Sequence, residues 1–120
     1  MRWLVHGNLT RAVTEALRRH EHTASTPAEA GIDATDPVEL LKQAHTKQLD
    51  LITADAELAN APFEHHIRFG RSIVFLQLTG GDVEQDDAID RLFQRYKRLT
   101  PGRLYTVTAT RVKIRQLPST

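Results

Sequence analysis

The run Leu49-Asp50-Leu51-Ile52-Thr53-Ala54-Asp55-Ala56-Glu57 ends a buried-looking strand and delivers two carboxylates at alternate positions. Open α/β sheets bind ligands outside the carboxyl ends of their strands, where loops and helix starts gather. Acids placed there suit a hard cation such as Mg2+ or Mn2+. The same residues have a plainer use, because Asp55 is a good N-cap for a following helix and Glu57 suits its first turn. A second acidic helix start, Asp36-Pro37-Val38-Glu39, combines an N-cap acid, proline at the first helical position and glutamate three after the cap. Glu39 therefore reads either as a ligand or as half of a capping box.

The histidines and cations offer further chemistry. His20-Glu21-His22 alternates imidazoles around a carboxylate, but it falls where a helix should end, and a surface role suits it better. His65 and His66 share a loop with Phe63, Arg68, Phe69 and Arg71, a mixture that either grips single-stranded RNA or anchors the loop on a sheet. Gly80-Gly81 is only a turn, and no phosphate-cradling glycine loop, Ser–His–Asp pattern or dinucleotide fingerprint is present.

Strands and helices must position these groups. Arg2 to Val5 reads as a first strand, followed by a helix from Leu9 to about His20 with Asn8 as its N-cap. His22 to Ser25 is a weak second strand, and Thr26 to Thr35 is loop. A helix follows from Asp36 to about Gln48, then the strand over 49–53 and a short helix over 56–61 that Pro62 should break. Ser72 to Leu78 is a near-continuous apolar run, the mark of a strand covered on both faces. Asp86 to Leu99 carries Ile89, Leu92, Phe93 and Tyr96 on one helical stripe. Leu104 to Thr108 and Val112 to Leu117 read as terminal strands or a hairpin. This alternation predicts a single-domain, three-layer α/β/α sandwich over 1–120 with a mostly parallel sheet.

Composition narrows the function classes. The 120 residues contain 40% apolar and 26% charged residues, as in an ordinary globular domain, and no cysteine. Disulfides, thiolate metal sites and cysteine nucleophiles are thereby excluded. No stretch approaches the roughly 20 apolar residues of a membrane span, and the first apolar run is too short for a signal peptide. A cytoplasmic location is the default expectation. The net charge of +1 conceals an asymmetry: Glu29 to Glu57 holds seven acids against Lys42 and Lys47, whereas Ala88 to Thr120 holds eight cations against Asp90. An acidic middle and a basic tail suit a metal site beside a polyanion-attracting surface, or simply solvated faces.

Three segments in order resemble the small PIN-like proteins of bacteria, often encoded as toxin–antitoxin components. These are Leu4-Val5-His6-Gly7-Asn8-Leu9, Asp36-Pro37-Val38-Glu39-Leu40-Leu41 and Thr53-Ala54-Asp55-Ala56-Glu57-Leu58. The later Ser72–Leu78 strand and the terminal β-branched run also look like that group. The resemblance implies a Rossmann-like fold and hydrolysis of RNA by carboxylates on Mg2+ or Mn2+, with RNA and an antitoxin protein as partners. A homo-oligomer is compatible with it. It implies Asp55 and Glu39 as metal ligands, Glu57 as a further catalytic acid, and Asn8 hydrogen-bonding behind the acidic cluster. Arg68, Arg71, Arg111 and Lys113 would contact nucleic acid.

His6 departs from the pattern, since the family has an aspartate at the end of the first strand. Imidazole suits transition metals and is a poor ligand for magnesium. Its presence leaves three outcomes: a ribonuclease with altered metal preference, a weakened one, or a retired fold that binds RNA or a partner protein. A receiver-like reading fails, because no paired acids follow the first strand and no late lysine ends a strand.

Overall fold

Thr53 and His6 end two strands that lie side by side, and the rest of the chain is arranged about that pair. The computed structural model describes all residues except Asn8, Ala34, Ser119 and Thr120. Six strands are joined by helices: β1 (Arg2–His6), α1 (Arg11–Arg19), β2 (Thr23–Ser25), α2 (Pro37–Thr46), β3 (Asp50–Thr53), α3 (Ala56–Glu64), β4 (Ile73–Leu76), α4 (Asp82–Arg95), β5 (Arg103–Val107) and β6 (Val112–Gln116). The sheet order is β2-β1-β3-β4-β5-β6, parallel throughout except for β6, which runs antiparallel to β5. This is the expected α/β class, with helices on both faces of a mostly parallel sheet.

Every residue of β3 and β4 is buried, because both faces of the central strands are covered. Alternation along the strands divides the core in two. Trp3, Val5, Ile52, Val74, Leu76, Tyr105 and Val107 face an upper layer formed by α1 and α4. Leu4, Leu51, Ile73, Phe75 and Leu104 face a lower layer formed by α2 and α3. Each fully buried Leu or Ile contributes roughly 1.5–3 kcal/mol over its exposed state.

The layers reveal an unusual connection. Going from β1 to β2 the chain steps one way with α1 above the sheet. From β2 to β3 and from β3 to β4 it steps the other way with α2 and α3 below. These three crossovers share one hand, the right-handed one found in about 98% of such units. From β4 to β5 the chain again steps the second way, yet α4 lies above, packed on α1. That crossover is therefore left-handed. In consequence no helix among the described residues lies beneath β5 and β6.

Helix boundaries differ from the sequence expectations in three places. The N-cap of α1 is Thr10, whose hydroxyl accepts from the Ala12 N–H at 3.2 Å. Its own N–H and hydroxyl both donate to Gln85 Oε1, which ties the start of α1 to α4. Asn8, expected in the capping role, lies outside the described residues. Helix α3 continues through Pro62 to Glu64, with the His65 N–H reaching the Ala61 carbonyl at 2.9 Å. A proline removes a single helical hydrogen bond, and here Ala61 and Pro62 are both buried in the lower layer. Helix α4 begins at Asp82, four residues before the expected start, and ends at Arg95 rather than Leu99. Its first turn is held by the Glu84 carboxylate accepting from the Gly81 N–H, while Val83 is exposed, so the apolar stripe starts one turn late.

At the amino ends of the strands, Asp50 is 1% exposed and accepts from the Ser72 N–H at 2.9 Å and from Arg71 at 3.2 Å. Ser72 donates to the Thr100 carbonyl, and the Thr100 N–H donates to the Tyr105 hydroxyl at 2.8 Å. This network joins the entries of β3, β4 and β5. Removing the Arg71 guanidinium strands a buried carboxylate, so Arg71→Ala should destabilise the protein by about 3 kcal/mol in urea unfolding. The partnering Asp50→Ala should cost less, because Arg71 is one-third exposed and can turn to water.

In the upper layer, the Trp3 indole donates to His22 Nδ1 at 3.0 Å, and the His22 and Phe93 rings lie 4.6 Å apart. Burial lowers the His22 pKa below its ordinary value, with the positive chain terminus and His20 as lesser causes. The unfolded chain thus binds the proton more readily, and stability is full above the ordinary histidine value. It is lost as pH falls from there through the lowered folded value. Urea midpoints should drop between about pH 7.5 and about pH 5. His22→Gln, which keeps an acceptor for Trp3, should flatten part of that slope; the remainder belongs to His6, also lowered by burial.

Candidate functional site

The point where the chain leaves β1 upward and β3 downward is where open α/β sheets form their crevice. Here an open cleft of about 480 Å³ lies over that point, lined by Gly7, Ala54, Asp55 and Ala56. Gly7 has φ +89°, and this left-handed turn carries the chain off β1 directly above Thr53. His6, half-buried, and Thr53, fully buried, are register partners on β1 and β3.

Thr53 organises the cleft. Its Oγ1 lies 3.0 Å from His6 Nδ1 and accepts from the Asp55 N–H at 3.0 Å. The hydroxyl keeps its proton and a second lone pair, and either meets Nδ1 according to the imidazole tautomer. Burial holds the His6 pKa below its ordinary value, and the negative charge of Asp55 opposes this only in part. The imidazole is therefore neutral at neutral pH. Asp55 is the N-cap of α3, and its Oδ1 accepts from the Glu57 N–H at 2.9 Å. Glu57 itself is exposed on the first turn of α3, where the helix dipole favours an acid.

Glu39 lies elsewhere. Its carboxylate accepts from Gln43 Nε2 at 3.3 Å and borders a separate hollow of about 200 Å³ with Lys42, Gln43, Thr46 and Lys47. Asp36 caps α2 through the Val38 N–H at 3.4 Å. Among the described residues, no three His, Asp or Glu side chains are grouped to share one cation. Mg2+ takes six oxygen ligands in near-octahedral geometry, usually one or two protein carboxylates with water or substrate oxygens completing the shell. The cleft offers one carboxylate, engaged as a helix cap, beside a neutral imidazole. Glu39, the second carboxylate expected as a ligand, borders a different hollow and does not complete this set. Asn8, expected to support the acids, lies outside the described residues.

The four cations expected to contact nucleic acid are not brought together. Arg68 is exposed in the loop entering β4, and Arg71 pairs with Asp50, both at the amino ends of the strands. Arg111 and Lys113 are exposed on the β5–β6 turn and on β6, at the opposite end of the sheet. His65 and His66 are exposed, and Phe69 beside them is 2% exposed, so the aromatic part of that loop anchors it. His20 pairs with Asp90 at 2.8 Å, away from the cleft on the α1–α4 side. Thr53 opens the Thr53–Leu58 segment of the resemblance but is given no role there; in the structure its hydroxyl, at the end of an otherwise apolar strand, joins the candidate site.

No protein-family model matches the chain, and no curated protein and no solved structure matches it. No helix among the described residues is long and apolar enough to cross a membrane. Fold and cleft together define an open α/β sheet protein with a His–Thr–Asp constellation at its switch point. Loss of the α3 cap in Asp55→Ala should lower stability by about 1 kcal/mol in urea unfolding, and Asp55→Asn should retain most of it.

Proposed function

We propose that the chain is a PIN-like α/β module that binds a partner protein and does not hydrolyse RNA. The observation that carries this reading is the donor set of the cleft: Asp55 alone, capping α3, beside the neutral His6. A phosphodiester approaching that edge meets the negative charges of Asp55 and Glu57, and no Lys or Arg is among the described residues that line the cleft. The separation of Arg68 and Arg71 from Arg111 and Lys113 also argues against one continuous RNA path. An antitoxin-type protein is compatible with this reading and is suggested by the resemblance alone.

The alternative is the metal-dependent endoribonuclease with Asp55, Glu57 and Glu39 as its acids. Its support is the place of Asp55, at the carboxyl end of β3 and at the switch point of the sheet. The two readings forecast opposite results. End-labelled single-stranded RNA incubated with the protein and Mn2+ or Mg2+ should stay intact, and fluorescence anisotropy should show no tight RNA binding. His6→Asp, which restores the family's first-strand acid, should bring measurable Mn2+-dependent cleavage if the site is retired PIN machinery. Cleavage by the unaltered protein that Asp55→Asn abolishes would overturn the binding-module reading.

A further inference from the structure

We infer that the outer edge of β6 accepts an extended, acidic segment of a partner protein, added to the six-stranded sheet as a further antiparallel strand. The inference rests on the protein-partner reading above and assigns that partner a surface apart from the cleft.

Hydrogen-bond alternation decides which backbone groups of β6 are spare. In an antiparallel ladder, residues bonded to the neighbouring strand alternate with residues whose N–H and C=O point away from it. The Thr108 N–H donates to the Arg111 carbonyl at 2.9 Å, and the Leu117 N–H donates to the Gly102 carbonyl at 2.9 Å. Between those two bonds the register is unbroken, from Val107 opposite Val112 to Arg103 opposite Gln116. Lys113 and Arg115 therefore bond to β5, whereas Val112, Ile114 and Gln116 turn their N–H and C=O outward. Among the described residues no strand lies beyond β6, and no loop backbone bonds to those outward groups. All of β6 after Val112 is exposed. The opposite edge, β2, is only three residues long, and short edges recruit other strands poorly.

Side chains decide which strand fits. Ile114 lies opposite Tyr105 on the upper face and is 41% exposed, beside Val112, which packs on the upper core. A β-branched residue laid across from Ile114 would cover it. Lys113 points to the lower face, is exposed, and has no ion-pair partner among the described residues. No acid occurs from Arg103 to Leu117. Arg111, Lys113 and Arg115 alternate with the outward-bonding residues. If two copies paired antiparallel, outward-bonding residues would have to oppose one another, so these cations would oppose cations in each register that overlaps most of the strand. Like charges directly opposite are destabilising, which argues against a second copy. An acidic strand reverses the sign. Its acids meet Lys113 and Arg111 in the close, non-hydrogen-bonded pairs, with Cα atoms about 4.5 Å apart. Arg115 contributes less, because its guanidinium sits 3.7 Å from the Phe63 ring centroid. Nucleic acid suits the edge less well, since phosphates accept from the outward N–H groups but leave the outward carbonyls unpaired.

The probe is a peptide of about eight residues that alternates Glu with Val or Thr. In the isotope-labelled full chain alone, the Lys113 and Arg115 amides should exchange with solvent more slowly than those of Val112, Ile114 and Gln116. The acidic peptide should shift the latter three and slow their exchange. Ile114→Pro removes one outward N–H at a position where an edge strand tolerates proline, and it should abolish both effects. Lys113→Glu should weaken binding about fivefold or more and admit a lysine-for-glutamate version of the peptide, which the unaltered chain should reject. Unchanged exchange at the three outward amides with the acidic peptide overturns the inference. Equal binding of the lysine version, or undiminished binding by Lys113→Glu, overturns it as well. Slow exchange of those amides in the chain alone, relieved by dilution, would give the edge to a second copy and sink the idea. A silent peptide removes this edge only, whereas the cleavage assay on the unaltered protein decides the binding-module reading.

Discussion

Placement of β1 against β3, with their chains departing to opposite faces, is the constraint on which the rest of this structure depends. Once the chain leaves β1 upward and β3 downward, a crevice must open between the two departures. The residues that end those strands then become neighbours although 47 positions separate His6 from Thr53. Burial does the holding: Leu51 and Ile52 of β3 are wholly enclosed, so the strand cannot shift register without exposing one core face. Thr53 inherits a fixed position from that register and uses its hydroxyl to link His6 to the start of α3.

The upper layer imposes a second constraint. Trp3, Phe93 and His22 cluster where β1, β2 and α4 meet, and Gln85 receives both polar groups of Thr10. These contacts fasten α4 to α1 above the sheet and are incompatible with α4 lying below it. The left-handed crossover and the lack of a helix beneath β5, among the described residues, are thus two sides of one packing choice. Edge strand β6 carries Lys113 and Arg115 on the exposed face, which also discourages pairing of that edge with a second copy of itself.

Electrostatically, the molecule separates its charges by end and by face. The cleft end presents Asp55 and Glu57 at a helix N-terminus, where the dipole already favours anions. The buried Asp50 at the other end is balanced by Arg71 and a backbone N–H. A carboxylate serving as a helix cap is stable without a cation, which is why Asp55 needs no metal to account for its presence.

Periodicity and capping residues were enough to determine the α/β class, the order of the elements and the burial of the two central strands. Runs such as Ser72–Leu78 have only one good physical solution, a strand covered on both sides. Local chemistry likewise determined Asp36 and Asp55 as caps, because a carboxylate before a helix finds the free N–H groups of its first turn whatever surrounds it. Non-local packing decided the rest. The start of α4 was hidden because its first turn is solvent-exposed and contributes nothing to the apolar stripe. The passage of α3 through Pro62 depended on burial against the lower layer. Glu39 and Asp55 look equivalent in the sequence, yet tertiary structure sends their carboxylates to different hollows. The hand of the β4–α4–β5 crossover has no local signature at all. It depends on which side of a sheet a helix finds its partners, and only the folded chain brings Trp3, Thr10 and α4 together.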